Sequence, residues 1–223
     1  MSESKVIVVA SGGLDSTVLA YYLKHRGHEL ALVSFRYGQR HARELFSARK
    51  VAEALGVAFR VLDLHALGDI SHSSLTDARV PVPDGHYTDE RMAITVVPFR
   101  NPIFLSFAFA LAVNARADAV AIGVHAGDHA IYPDCRVEFI DAFADMQKVA
   151  LDGIAHVELM APFARLRKEE IVLLGAELRV PFDLTWSCYK GGSVHCGTCA
   201  TCTERREAFM LANVPDPTEY APK

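Results

Sequence analysis

Two clusters in this 223-residue chain combine side chains able to do chemistry. The first is Ser11-Gly12-Gly13-Leu14-Asp15-Ser16, which puts paired glycines, two hydroxyls and a carboxylate into one short string. Glycines let a backbone approach a ligand closely and accept positive φ, and a helix starting just after them directs free N–H groups at whatever lies there. That combination suits a polyphosphate, with Ser11 and Ser16 donating hydroxyl hydrogen bonds and Asp15 holding magnesium. No Lys follows as in G-x-x-x-x-G-K-[ST], and the glycines do not fit G-x-G-x-x-G. The competing reading is a plain glycine turn with an Asp or Ser cap. Placement directly after the first buried strand favours the phosphate loop.

The second cluster is Cys188 followed by Cys196, Cys199 and Cys202, the last three as C-x-x-C-x-x-C. Thiolates so spaced can meet around one ion, and Gly191, Gly192 and Gly197 relieve the turns such wrapping demands. Four sulfurs close a tetrahedral zinc site and leave no position for water, so the site is expected to be structural. An iron–sulfur cluster is the rival, but no cysteine stands three residues after Cys202, and Cys188 completes the set from upstream. His195 is expected to be a surface neighbour, and Cys135 a buried packing residue.

The elements that must position these groups alternate. Lys5 to Ala10, Glu29 to Phe35 and Val57 to Leu64 read as strands, with helices over Thr17 to Arg26 and Arg43 to Leu55 between them. Further helices are expected near Pro102 to Arg116, Val137 to Ala150, Lys168 to Glu177 and Thr203 to Leu211, with strands near Ala119 to Val124 and Val157 to Ala161. The pattern implies an α/β doubly wound, mostly parallel sheet over residues 1–180, with a four-cysteine region at 181–223 packed on it. His65 to Arg91 loses periodicity and is expected to be a structureless active-site flap or an oligomer contact.

Composition narrows the classes of function. With 23 Lys+Arg against 27 Asp+Glu the formal charge is −4, which argues against a nonspecific nucleic-acid binder. Hydrophobic residues at 51% and a mean hydropathy of +0.15 exclude a disordered chain. No apolar stretch reaches the ~20 residues that span a bilayer, and no leader is evident, so a cytoplasmic location is expected.

The glycine string resembles the pyrophosphate loop of the ATP pyrophosphatases, which implies adenylation of a substrate oxygen. Together with Tyr37-Gly38-Gln39-Arg40-His41, Val96-Val97-Pro98-Phe99-Arg100-Asn101, Tyr132-Pro133-Asp134-Cys135-Arg136 and Trp186-Ser187-Cys188-Tyr189, the chain is similar nearly end to end to the 7-cyano-7-deazaguanine synthases. That resemblance implies an adenine-nucleotide α-hydrolase-like fold and conversion of 7-carboxy-7-deazaguanine and ammonia to the nitrile. It also implies one zinc per chain, ATP with magnesium as cosubstrate, and a homodimer. Ala10, Ser11, Gly12, Gly13, Leu14, Asp15, Ser16 and Thr17 become the ATP-binding set, with Ser11, Asp15 and Ser16 catalytic. Arg100, Asn101, Tyr132, Asp134 and Arg136 become substrate contacts, with Asp134 accepting the N–H donors of the guanine-like edge. Where this chain has Phe99 the family more often has Asn. Loop residues His125, Asp128 and His129 are secondary candidates for a metal, and Asp128 and Asp141 for a base. The alternative is a transfer-RNA thiolation enzyme, which shares the loop but needs a sulfur-handling cysteine.

Overall fold

The computed structural model describes residues 3–40, 43–86, 93–128 and 131–222, so His41, Arg91 and His129 lie outside the described residues. Five strands, β1 (Lys5–Val9), β2 (Glu29–Arg36), β3 (Ala58–Asp63), β4 (Ala119–Ala121) and β5 (Glu158–Met160), pair in parallel in the order β3-β2-β1-β4-β5. Alternate side chains of β1 explain why helices cover both faces. Ile7 and Val9 pack with Leu105, Ala108 and Phe109, whereas Val6 and Val8 pack with Leu19, Leu23 and Ile171. The helices are α1 (Leu14–His25), α2 (Arg43–Leu55), α3 (His65–Ile70), α4 (Arg100–Ala115), α5 (Val137–Ala150), α6 (Lys168–Glu177) and α7 (Ala200–Leu211). The sheet order reverses between β1 and β4, where ligands of open α/β sheets collect.

Several expectations need correction. β4 stops at Ala121, three residues short of the expected Val124, because Gly123 must pass against the start of α1: a Cβ there would lie 3.2 Å from Asp15 and Ser16 backbone atoms. The segment from His65 is not structureless. It forms α3 and then turns held by Arg40, whose Nη1 donates to Val80 O at 3.0 Å and whose N–H donates to Leu75 O at 3.0 Å. Farther on, Gly85 N–H donates to Thr198 O at 2.8 Å, tying this segment to the cysteine region.

The cysteine region shares the core of the sheet. Ala208 and Phe209 of α7 join the cluster that contains Val6 and Val8, and Phe209 meets Phe182 edge-on at 4.9 Å. Arg205 is fully buried there, donating to Asp216 Oδ1 (3.2 Å), Thr185 Oγ1 (2.6 Å) and Phe182 O (3.2 Å). Truncating Arg205 removes the only cation paired with the half-buried Asp216 among the described residues and empties the space its buried stem and guanidinium fill. Arg205→Ala is expected to destabilise the protein by about 3–5 kcal/mol, and Arg205→Met by less because packing volume is kept. Denaturant titration of both variants checks this, and equal midpoints to the parent refute it.

Candidate functional site

A cavity of about 220 Å³ opens at the carboxyl ends of β1, β2 and β4, with Ala10, Ser34, Phe35, Ile122 and Val124 in its lining. One end is the glycine loop, contributing Ser11, Gly13, Leu14, Asp15 and Ser16. α1 starts after Gly13 with no side-chain cap, which leaves its first-turn N–H groups available to an anion. The serine hydroxyls brace the loop: Ser11 Oγ and Ser16 Oγ are 3.1 Å apart, Ser11 Oγ accepts from Gly13 N–H at 3.2 Å, and Thr17 Oγ1 donates to Gly13 O at 2.8 Å. Gly12 and Thr17 do not line the cavity. Gly12 holds φ +81° beneath α2, where a Cβ would stand 2.2 Å from Glu44 O, so only glycine fits.

Charged groups converge beside the loop. Lys168 Nζ, at the start of α6, lies 3.2 Å from Asp15 Oδ2, 2.9 Å from Glu204 Oε2 and 3.4 Å from His125 Nε2. Burial opposes both charges of the Asp15–Lys168 pair. The Lys168 charge, with His125 close by, outweighs it and holds Asp15 below the ordinary carboxylate range, while Asp15 and Glu204 hold Lys168 above the ordinary lysine range. His125 Nδ1 accepts from Gly127 N–H at 3.1 Å, which turns Nε2 toward Asp128 (3.5 Å) and Asp15 (3.8 Å). Among the described residues Asp15 Oδ1 is buried without a partner, a spare hard oxygen donor that fits magnesium.

Sequence reasoning missed Lys168 and Glu204. A signal existed for Lys168: a cation on the first residue of a helix opposes the helix dipole and calls for carboxylates nearby. Glu204 carries no comparable local signal.

The lining also includes Tyr37, Gln39, Glu44, Arg100, Asn101 and Tyr132. Arg100 opens α4, and Tyr132 Oη sits 3.1 Å from Thr95 Oγ1. Asp134 does not reach the cavity. Its Oδ2 accepts from Asn101 N–H at 3.0 Å and its carbonyl from Asn101 Nδ2 at 3.0 Å, so it satisfies the start of α4 instead of facing a ligand. Arg136 also lies away from the cavity, as the N-cap residue of α5. Cys135 is buried as expected, but it lines the cavity, and burial pushes its thiol well above the ordinary range. Asp141 lies in α5, away from the lining.

Phe99 adopts φ 63°, ψ 21° just before α4 and is 70% exposed. L residues strain in this left-handed region, and Asn tolerates it better than an aromatic. Phe99→Asn is therefore expected to stabilise the fold by about 1 kcal/mol, read as a raised denaturant midpoint; a lowered midpoint would show that the ring contributes more than the strain removes.

The four sulfurs of Cys188, Cys196, Cys199 and Cys202 lie within 4.8 Å of one another. Cys196 Sγ accepts from Thr198 N–H (3.4 Å) and Cys199 N–H (3.3 Å), and Cys188 Sγ from Cys196 N–H (3.4 Å). Thiolates supported by backbone donors at this separation fit a tetrahedral metal ion. His195 is buried, contrary to the surface position expected. Its Nε2 accepts from Ser187 N–H at 3.1 Å and its ring lies tilted against Trp186, centroids 4.2 Å apart, so it supports the turn and is not a ligand. Trp186, Ser187, Tyr189, Thr201 and Glu204 carry this region into the cavity wall.

Strand order, the uncapped glycine-opened helix and the cavity at the switch point define an adenine-nucleotide α-hydrolase-like, Rossmann-like fold. NMN synthetase from Francisella tularensis has a similar fold, with a TM-score of 0.52 and 16% identity over 96% of this chain and 79% of that one. The family described as queuosine biosynthesis protein QueC matches residues 5–213. A 7-cyano-7-deazaguanine synthase from Rhizobium etli is 57% identical over 97% of this chain and 92% of its own length, and one from Brucella anthropi is 55% identical over 97% and 93%. The chain belongs to the QueC family and is an enzyme.

Proposed function

We propose that the chain converts 7-carboxy-7-deazaguanine and ammonia to 7-cyano-7-deazaguanine with consumption of ATP, through adenylated acid and amide intermediates. The observation that carries this reading is one cavity whose lining combines the glycine loop and Lys168 with a fork donor, Arg100, and tyrosines. A carboxylate is a poor electrophile, and adenylation turns one of its oxygens into a leaving group. The substrate oxygen attacks the α-phosphorus and pyrophosphate departs; the first-turn N–H groups of α1, the Ser11 and Ser16 hydroxyls and the Lys168 ammonium receive its charge. Asp15 would hold magnesium, which would neutralise charge on the polyphosphate. Ammonia displaces AMP to give the amide, the amide oxygen is adenylated in turn, and loss of AMP with the remaining N–H proton leaves the nitrile.

The four-thiolate set supports zinc as the resident ion, closed to water and therefore structural. The family resemblance supports a cytoplasmic homodimer, and the acidic balance supports a small-molecule substrate with no direct contact to nucleic acid. Among the described residues no helix is long and apolar enough to cross a membrane. For thiolation the available thiol would be Cys135, which burial holds protonated and which accepts from Asn101 Nδ2 at 3.3 Å.

The test is mass spectrometry of products after incubating metal-loaded protein with ATP, magnesium, ammonium and 7-carboxy-7-deazaguanine. Nitrile is expected, with AMP and pyrophosphate, and none without ATP. Absence of conversion by folded protein defeats the reading.

A further inference from the structure

The cavity holds one carboxylate for which the chemistry above finds no use. Asp15, Asp128 and Glu204 all face Lys168, which accounts for their charge. Glu44 lies apart from them, in the first turn of α2. Its carboxylate lines the cavity, yet among the described residues it has no hydrogen-bond or ion-pair partner. Burial pushes the group up to about 7, with Arg100 offsetting part of the shift. A half-buried carboxylate in a cavity wall, given no donor by the described residues, is open to donors from a ligand there.

We propose that Glu44 is the specificity-determining residue that reads the aminopyrimidinone edge of the substrate, accepting the ring N–H and the exocyclic amino group on its two oxygens. The proposal rests on the deazapurine reading given above and assigns to Glu44 the part that sequence reasoning gave to Asp134. Three observations support it. The geometry of two parallel N–H donors matches the two oxygens of one carboxylate. The backbone of Glu44 is seated on the phosphate loop, with its carbonyl against Gly12, so the side chain is fixed relative to the α-phosphate while the substrate is held for adenylation. Its surroundings also choose among ligands. Tyr37 and Arg100 are its charged or titratable neighbours, and Arg100 beside it disfavours a second cation such as ammonium but not neutral N–H donors.

A site built to pair donors rejects an analogue that lacks one, because its own acceptor is then left buried and unpaired. The decisive comparison uses kcat/KM for 7-carboxy-7-deazaguanine and for its analogue lacking the 2-amino group, in wild type and E44Q, with ATP and ammonium saturating. Wild type should prefer the parent acid by about 100-fold, and E44Q should lose about 100-fold on the parent while its preference collapses below about fivefold. KM for ATP and for ammonium should stay within about threefold of the wild-type values. An equal loss on both substrates would mean a merely structural part for Glu44, and a loss carried by KM for ammonium or ATP would assign it to the amine or the ribose; each overturns the proposal. Calorimetric titration with the acid separates this from the reaction itself. If wild type binds the acid without converting it, the reaction reading fails while the affinity ratio of wild type to E44Q still decides Glu44. Equal affinities overturn the assignment.

Discussion

Asp15→Ala is expected to lower kcat for nitrile formation by at least about 10³-fold while the protein stays folded. Two functions vanish together. The buried, unpartnered Oδ1 that would hold magnesium is removed, and so is Oδ2, the carboxylate oxygen 3.2 Å from Lys168 Nζ. Lys168 keeps Glu204 at 2.9 Å, so its charge remains paired and the fold survives. Without Asp15 the ammonium has lost one of its two carboxylate anchors and no longer holds a fixed place at the start of α1. The measurement is single-turnover formation of AMP, and a variant within tenfold of wild type would remove Asp15 from the chemistry. Acid stability supplies an independent check. Asp15 titrates below its unfolded value, so its pairing stabilises at neutral pH and is lost as pH falls through the folded value. Stability of the wild type should thus fall more steeply with acid than that of Asp15→Ala. The same acid slope in both would show that the pairing contributes nothing.

Cys199→Ser should lose the bound metal and lower the melting temperature by about 10 °C, given that structural ligation and folding are coupled. Cys199 is fully buried and begins the turn into α7, so the damage spreads along that helix. It also reaches the active site, since Thr201 and Glu204 of α7 line the cavity and Glu204 anchors Lys168. Turnover should fall with metal content even though none of the four clustered thiols lines the cavity. Cys135→Ser is the matched control, because that residue lies outside the sulfur cluster and should leave the metal in place. Metal analysis alongside thermal melts decides the matter: full metal content and an unchanged melting temperature in Cys199→Ser would defeat the structural-metal assignment.

Much of this architecture is written locally. Helices over Arg43–Leu55, Val137–Ala150 and Lys168–Glu177 appear with the bounds their apolar periodicity implies, because a helix that buries one face must repeat its apolar side chains every turn. The loop between β1 and α1 and the four-cysteine set are equally local, since close backbone approach needs glycine and ligation needs thiolates at short spacing. The substrate end is not local. Asp134 looks like an exposed acceptor in the sequence, but packing sets it against the start of α4, whose free N–H groups claim it first. Lys168 lies 153 residues from Asp15 and 36 from Glu204, and only the parallel order of β1, β4 and β5 with α7 folded across α6 brings the three together. Phe99 gives no hint of its left-handed backbone, which the entry into α4 imposes. Sequence by itself determined most of the elements, the glycine loop at the start of α1 and the grouping of the four cysteines, because each depends on neighbours a few residues away. Tertiary structure alone decided which carboxylates line the cavity and which lysine stands beside the glycine loop, because those identities depend on where distant elements pack.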